Sequence, residues 1–191
     1  VAIIRSNRNP ELLRRDDALL IVVDMQEPFL RNIWERDLVI NNTLILIKTA
    51  EVLRMPIVPT LQYEKRMGGL IREIARAIPH QFVPFDKICF SAIGEDAILS
   101  EIARSGRKQI LLCGVETHIC IFQTAMDLEH LGYQVTVIGD AVSSRAESNW
   151  KFGLERLRQA GIVVSSTEMA TYELLEVAGT PEFKQIVELI K

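Results

Sequence analysis

The chain has 191 residues, 48% of them apolar and 25% charged, close to the averages of folded globular domains and outside the range of disordered chains. Its 22 basic and 25 acidic residues give a net charge of −3 with no long run of one sign. That excludes the concentrated Lys and Arg that phosphate backbones require, and no nucleic-acid partner is expected. A domain typically takes about 150 residues, so a single domain over 1–191 is the expectation.

In chain order, the first strand is predicted at ALLIVV (18–23), apolar at every position. A helix over residues 37–53 follows, with Leu38, Leu44, Ile45, Ile47 and Val52 spaced by about three and four. IVPTL (57–61) is the second strand and 70–77 a shorter helix. QFVPFD (81–86) is a weaker strand, which Pro84 assigns to an edge or a loop. Then come a helix over 95–105 closed by Gly106, a strand at 109–115, and a helix over 119–131 closed by Gly132. The remaining strands are 134–139 and 161–166, and the remaining helices 151–160, 168–178 and 181–190, with Pro181 in the first turn of the last. Strands that are apolar on both faces and alternate with helices imply an α/β fold, an open parallel sheet with helices on both sides.

Ligands of such sheets bind outside the carboxyl ends of the strands, so the residues just after each apolar run carry the candidate chemistry. These are Asp24; Gln62, Tyr63 and Glu64; Asp86 and Lys87; Glu116, Thr117, His118 and Cys120; and Asp140. Cys120 falls in the first turn of a helix that begins near Glu116 or Thr117, where unpaired N–H groups and the helix dipole favour a thiolate and could hold an oxyanion. The alternative for Cys120 is plain packing on a buried helix face. Asp24 could equally cap the EPF segment, and Lys87 alone reads as surface. Together, a carboxylate, an ammonium and a thiol at three strand ends can activate a sulfur nucleophile: the carboxylate takes its proton and the ammonium holds the thiolate.

Other chemistries find no pattern. His80, His118 and His130 are scattered, without HxH, HExxH or DxH spacing, so no metal is expected. GxGxxG after the first strand, GxxxxGK[ST] and GxSxG are all missing, and no cofactor is expected. Cys89, Cys113 and Cys120 form an odd set without CxxC, which suits free thiols in a reducing compartment. The longest apolar run is far short of the ~20 residues that span a bilayer, and VAIIRSNRNPELLRRDD is too charged for a secretory signal. The expectation is a cytoplasmic protein without a membrane partner.

The segments ALLIVVDMQEPF, FDKICFSAIGEDAILSEI and, most specifically, ILLCGVETHICIFQTAMDLEHLGYQVTVIGDAVSS resemble the isochorismatase-like cysteine hydrolases, a superfamily that includes nicotinamidases and N-carbamoylsarcosine amidases. The resemblance covers residues 17–178. It implies a three-layer α/β/α sandwich with a six-stranded parallel sheet and an Asp–Lys–Cys triad, in which Asp24 matches the base, Lys87 the lysine and Cys120 the nucleophile. It also implies a cis peptide between Val115 and Glu116, and an oxyanion hole made by the Glu116 and Cys120 amides. Homo-oligomers are common in the family and are expected here.

Two departures bear on activity. The metal-binding DxH of nicotinamidases is replaced by TLQYEKRMGG, and the isochorismatases that cleave a vinyl ether lack the cysteine. Cys120 therefore points to hydrolysis of a C–N bond in a small amide, imide or carbamoyl compound through an acyl-enzyme. Phe29, Tyr63 and Ile93 are the expected pocket lining, placed by following the strands that carry the triad. The alternatives are a catalytically idle binding protein on the same fold and an atypical nicotinamidase with other metal ligands.

Overall fold

A computed structural model of the chain describes residues 8–190; residues 1–7 of the charged N-terminal stretch, and Lys191, lie outside them. Six strands form one sheet, all pairs parallel, in the order β3-β2-β1-β4-β5-β6: β1 Ala18–Val23, β2 Ile57–Gln62, β3 Phe85–Lys87, β4 Gln109–Val115, β5 Gln134–Ser143 and β6 Val163–Ser165. All six residues of β1, at the centre, are fully buried. A continuous apolar run is what a strand covered on both faces needs.

The pleat divides these runs between two cores. Leu20, Val22, Leu111 and Cys113 face one cluster, where Val39, Leu46 and Ile47 of the helix Arg36–Val52 meet Leu174 of Thr167–Leu175 and Ile186 of Pro181–Ile190. Leu19, Ile21, Val23, Ile110 and Leu112 face the other, against Ile98 and Ile102 of Asp96–Ser105, Ala125 and Leu128 of Phe122–His130, and Leu154 and Leu157 of Glu147–Gln159. Side chains alternating with period two thus produce the three-layer α/β/α sandwich. Among the described residues no helix is long and apolar enough to cross a membrane.

Several expected boundaries move. The third strand is Phe85–Lys87 and not 81–86, because Pro84 has no N–H to give a ladder; the strand does lie at the sheet edge. β5 runs on to Ser143, since its register with β4 jumps from Leu112↔Val137 to Gly114↔Val142 and pairing resumes past an unpaired stretch. Residues 161–166 contract to Val163–Ser165, 151–160 lengthens backwards to Glu147–Gln159, and 168–178 ends at Leu175. Two single-turn helices, Glu27–Leu30 and Glu64–Met67, are too short for a periodic signal.

Gly114 shows what the centre of this sheet tolerates. Its φ is +109°, and a Cβ there would lie 2.0 Å from the carbonyl oxygen of Val23, on the neighbouring strand. Only glycine allows β1 and β4 to approach so closely at the end where their chains turn out of the sheet.

Candidate active site

The strand order reverses between β1 and β4, and the crevice beyond their carboxyl ends holds the candidate chemistry. Asp24 is the first residue after β1, with φ +51°, and is 1% exposed. It does not cap the EPF helix, whose N-cap is Gln26. Lys87 ends β3, two strands away, and its side chain crosses the end of β2 to place Nζ 2.8 Å from Asp24 Oδ2. A buried charge needs a partner, and each of this pair is the other's.

The rest of the cluster is made of hydrogen bonds that the strand register sets up. Gln62 lies opposite Lys87 in the β2–β3 ladder, and its Oε1 accepts from Lys87 Nζ at 2.5 Å. The carbonyls of Cys89 and Phe90 accept from the same ammonium at 3.3 and 3.4 Å. Gln62 is itself fixed: its Nε2 donates to the carbonyl of Ile88, and its backbone N–H donates to Gln26 Oε1. Thr60, fully buried, donates its hydroxyl to Asp24 Oδ1 at 2.7 Å, and Asp24 N–H returns a bond to the Thr60 carbonyl. Both carboxylate oxygens of Asp24 are thereby oriented before any ligand arrives.

Cys120 follows β4 across the crevice. The Val115–Glu116 peptide bond is cis. Thr117–Ile121 form a single π turn, and the α-helix proper is Phe122–His130, so Cys120 lies in that turn and not in the first turn of the helix. Cys120 lines the same pocket as Asp24, and its thiol feels the charges of both Asp24 and Lys87, which brings the three sequence-selected groups together. Its acidity runs against the expectation drawn from the helix dipole. Burial pushes the Cys120 thiol up to about 12, Asp24 pushes the same way by charge and by hydrogen bonding, and Lys87 only partly opposes them. The sulfur rests protonated, with a carboxylate placed to receive its proton.

The turn is held from behind by Gly153 in the helix Glu147–Gln159: a Cβ there would lie 3.0 Å from Thr117 Cγ2 and 3.2 Å from the His118 amide nitrogen. Gly153→Ala should push the turn by a few tenths of an ångström. The expected result, read as steady-state turnover, is a loss on the order of tenfold with the far-ultraviolet spectrum unchanged. Full activity in this variant would show that the turn has slack.

Around the thiol lies a pocket of about 110 Å³, lined by Asp24, Phe29, Gln62, Phe90, Val115, Glu116, Ile119, Cys120 and Arg145. Of the three expected lining residues Phe29 is present. Tyr63 and Ile93 are not: Tyr63 turns outward beneath the Arg66 guanidinium, and Ile93, in the Ala92–Gly94 turn, packs half-buried against the core. Phe90 and Arg145 carried no sequence signal.

Arg145, just beyond β5, donates from Nε and Nη2 to the two carboxylate oxygens of Glu116 at 3.1 and 2.6 Å, and from its backbone N–H at 2.8 Å. Burial pushes the Glu116 carboxyl up, but the Arg145 bonds and charge outweigh it and hold it below the ordinary carboxylate value. A depressed carboxyl adds stability that is present above its unfolded value and lost as pH falls through the folded one. The melting-temperature gap between wild type and Glu116→Gln should therefore shrink on acidification below the normal carboxylate range; a gap independent of pH would show that the ion pair contributes nothing.

His118 does not face the thiol; its Nδ1 sits 2.9 Å from Ser144 Oγ. Among the described residues no group of three or more His, Cys, Asp or Glu side chains is placed to hold a metal ion.

The isochorismatase domain model matches residues 18–169. The chain is similar to the secreted isochorismatase effector Isc1 of Phytophthora sojae, 39% identical over 182 residues that cover 91% of this chain and 84% of that one. It is 37% identical to isochorismatase domain-containing protein 2 of Bos taurus over 175 residues, 91% and 83% of the two chains. Among solved structures, the Mar1 ribonuclease of Caenorhabditis elegans superposes with a TM-score of 0.88 at 30% identity over 94% of this chain and 92% of that one. The YcaC gene product of Escherichia coli, described as an octameric hydrolase of unknown specificity, has a TM-score of 0.87 at 22% identity over 96% and 92%, a likeness of fold alone.

Proposed function

The chain belongs to the isochorismatase family, with that family's hydrolase fold, and from this premise we propose that it is a cysteine-dependent hydrolase of a small amide, imide or carbamoyl compound. The observation that carries the reading is the convergence of three distant segments: Asp24 and Cys120 line one pocket, and the buried Lys87 ammonium is paired with Asp24 behind it. A fully buried lysine paired to an aspartate beside a thiol has no packing purpose that an apolar trio would not serve better.

In this mechanism Asp24 takes the thiol proton as the Cys120 sulfur adds to the substrate carbonyl carbon, which suits a thiol that rests protonated. The amides of Glu116 and Cys120 are the proposed donors to the resulting oxyanion. Asp24 then passes its proton to the leaving nitrogen, the C–N bond breaks, and a thioester remains on sulfur. Water adds to that thioester while Asp24 accepts its proton. The C–S bond breaks, the acid departs and the proton returns to sulfur. Lys87 holds the Asp24 carboxylate in position throughout and offsets the charge that builds beside it.

The direct test is a panel of small amides assayed for ammonia release, with acid-quenched turnover mixtures examined by peptide mass spectrometry. The expected result is acyl mass added to the peptide bearing Cys120, and to no other. Ammonia release without any such adduct, from an enzyme indifferent to loss of the thiol, would end the mechanism. We also propose a homo-oligomer, which the family resemblance implies and light scattering checks, and a reducing compartment, supported by three cysteines that are all free.

A further inference from the structure

The charges around the pocket cancel in pairs. Asp24 is matched by Lys87, buried with it, and Glu116 is matched by Arg145 through two side-chain bonds. Gln62 brings no charge, and both ends of its amide are already taken, by Lys87 and by the Ile88 carbonyl. What remains for a ligand to touch, apart from the reacting groups, is Phe29, Phe90, Val115 and Ile119, with the Arg145 guanidinium held by Glu116 at the mouth, its side chain 62% exposed. A charged ligand group entering such walls would lose its water, and the cation at the mouth, Arg145, is already paired with Glu116. The volume of about 110 Å³ is well below the several hundred Å³ of pockets for drug-sized ligands.

We propose that this pocket takes uncharged primary amides with a short aliphatic tail, and turns away amides of the same size that carry a carboxylate or an ammonium group. The inference rests on the amide-hydrolase reading of the same site and adds its selectivity. The Glu116–Arg145 pair is the element that sets it. Glu116 is buried, its side chain 8% exposed, and cannot be left unpaired, so it holds the guanidinium charge that would otherwise greet an anion at the mouth. The half-exposed Phe90 forms the apolar side of that mouth. One consequence concerns release: hydrolysis turns an uncharged amide into a carboxylate, the kind of group this pocket excludes, so the acid product leaves readily and inhibits weakly.

The test uses the full chain carrying Cys120→Ser, so that ligands are not consumed, and ligand-observed NMR titration with matched pairs. 3-Methylbutanamide is compared with malonamate, in which a carboxylate replaces the isopropyl group, and butanamide with 3-aminopropanamide, in which an ammonium replaces the methyl. The uncharged member of each pair should bind at least about tenfold more tightly. Equal or tighter binding of either charged member, or no binding of the uncharged ones, overturns the proposal. A second variant, Glu116→Gln, releases the Arg145 charge and should move the malonamate to 3-methylbutanamide ratio towards malonamate by about tenfold; an unmoved ratio counts against the assigned role of the pair. Wild-type protein that binds 3-methylbutanamide yet releases no ammonia from it would sink the hydrolase reading and leave the charge selection standing.

Discussion

Asp24→Asn is expected to abolish turnover while making the Cys120 thiol easier to ionise. The two effects have opposite signs because Asp24 does two things to one sulfur. As the acceptor of its proton and the donor to the leaving nitrogen, it supplies general acid–base catalysis, a factor of about 10³ within a range of two orders of magnitude. As a neighbouring negative charge and hydrogen-bond acceptor of a buried thiol, it helps to push that thiol up to about 12. Asparagine removes the proton shuttle and the charge but leaves Lys87, whose influence on the thiol is downward. Ammonia release should thus fall by about three orders of magnitude, as it should in Cys120→Ser. The pH dependence of Cys120 alkylation, followed by peptide mass spectrometry, should meanwhile move to lower pH than in wild type. Cys89, which is exposed, serves as the internal reference. A variant with most of its activity intact, or a thiol titration that does not move, would break the link between carboxylate and sulfur on which the mechanism depends.

How much of this was legible in the sequence follows from the range of the interactions involved. Asp24 and Cys120 announce themselves because each follows a strongly apolar strand, a local pattern. Lys87 is harder. Its strand is three residues long with a burial pattern that fails to alternate, so the strand appears by its pairing with β2 and not by its composition. Gln62 stands directly after the predicted second strand, but its role comes from the register that sets it opposite Lys87. Arg145 and Phe90 reach the pocket through an irregular end of β5 and a loop after β3, and no periodicity reports where such segments point. The acidity of Cys120 is out of reach of the sequence for a related reason. A helix start is visible in sequence and its dipole favours a thiolate, whereas the burial and the carboxylate that overturn this effect come from chain far away in sequence. Local signals locate candidates; the sign of their electrostatics is decided by what packs against them.

The same buried pair makes a second large prediction, this time for stability. Lys87 is 1% exposed, and its ammonium meets Asp24 Oδ2, Gln62 Oε1 and two loop carbonyls. Lys87→Met keeps the length and apolar volume of the stem but leaves the Asp24 carboxylate buried without a cation, and Gln62 Oε1 without its donor. Removing one member of a buried pair costs about 3–5 kcal/mol, so denaturant unfolding should show Lys87→Met losing on that order. Asp24→Asn loses less, because Gln62 and the carbonyls of Cys89 and Phe90 still accept from the ammonium. The double variant removes the charge problem altogether and should be more stable than Lys87→Met alone, with a coupling of about 1–3 kcal/mol in the cycle. It should also stay inactive. Recovery of folding without recovery of turnover would show that the pair is kept at a stability cost for what it does to the thiol. Strictly additive losses, with no recovery in the double variant, would instead mean that neighbouring hydrogen bonds satisfy each charge separately and that the two side chains do not act as a pair.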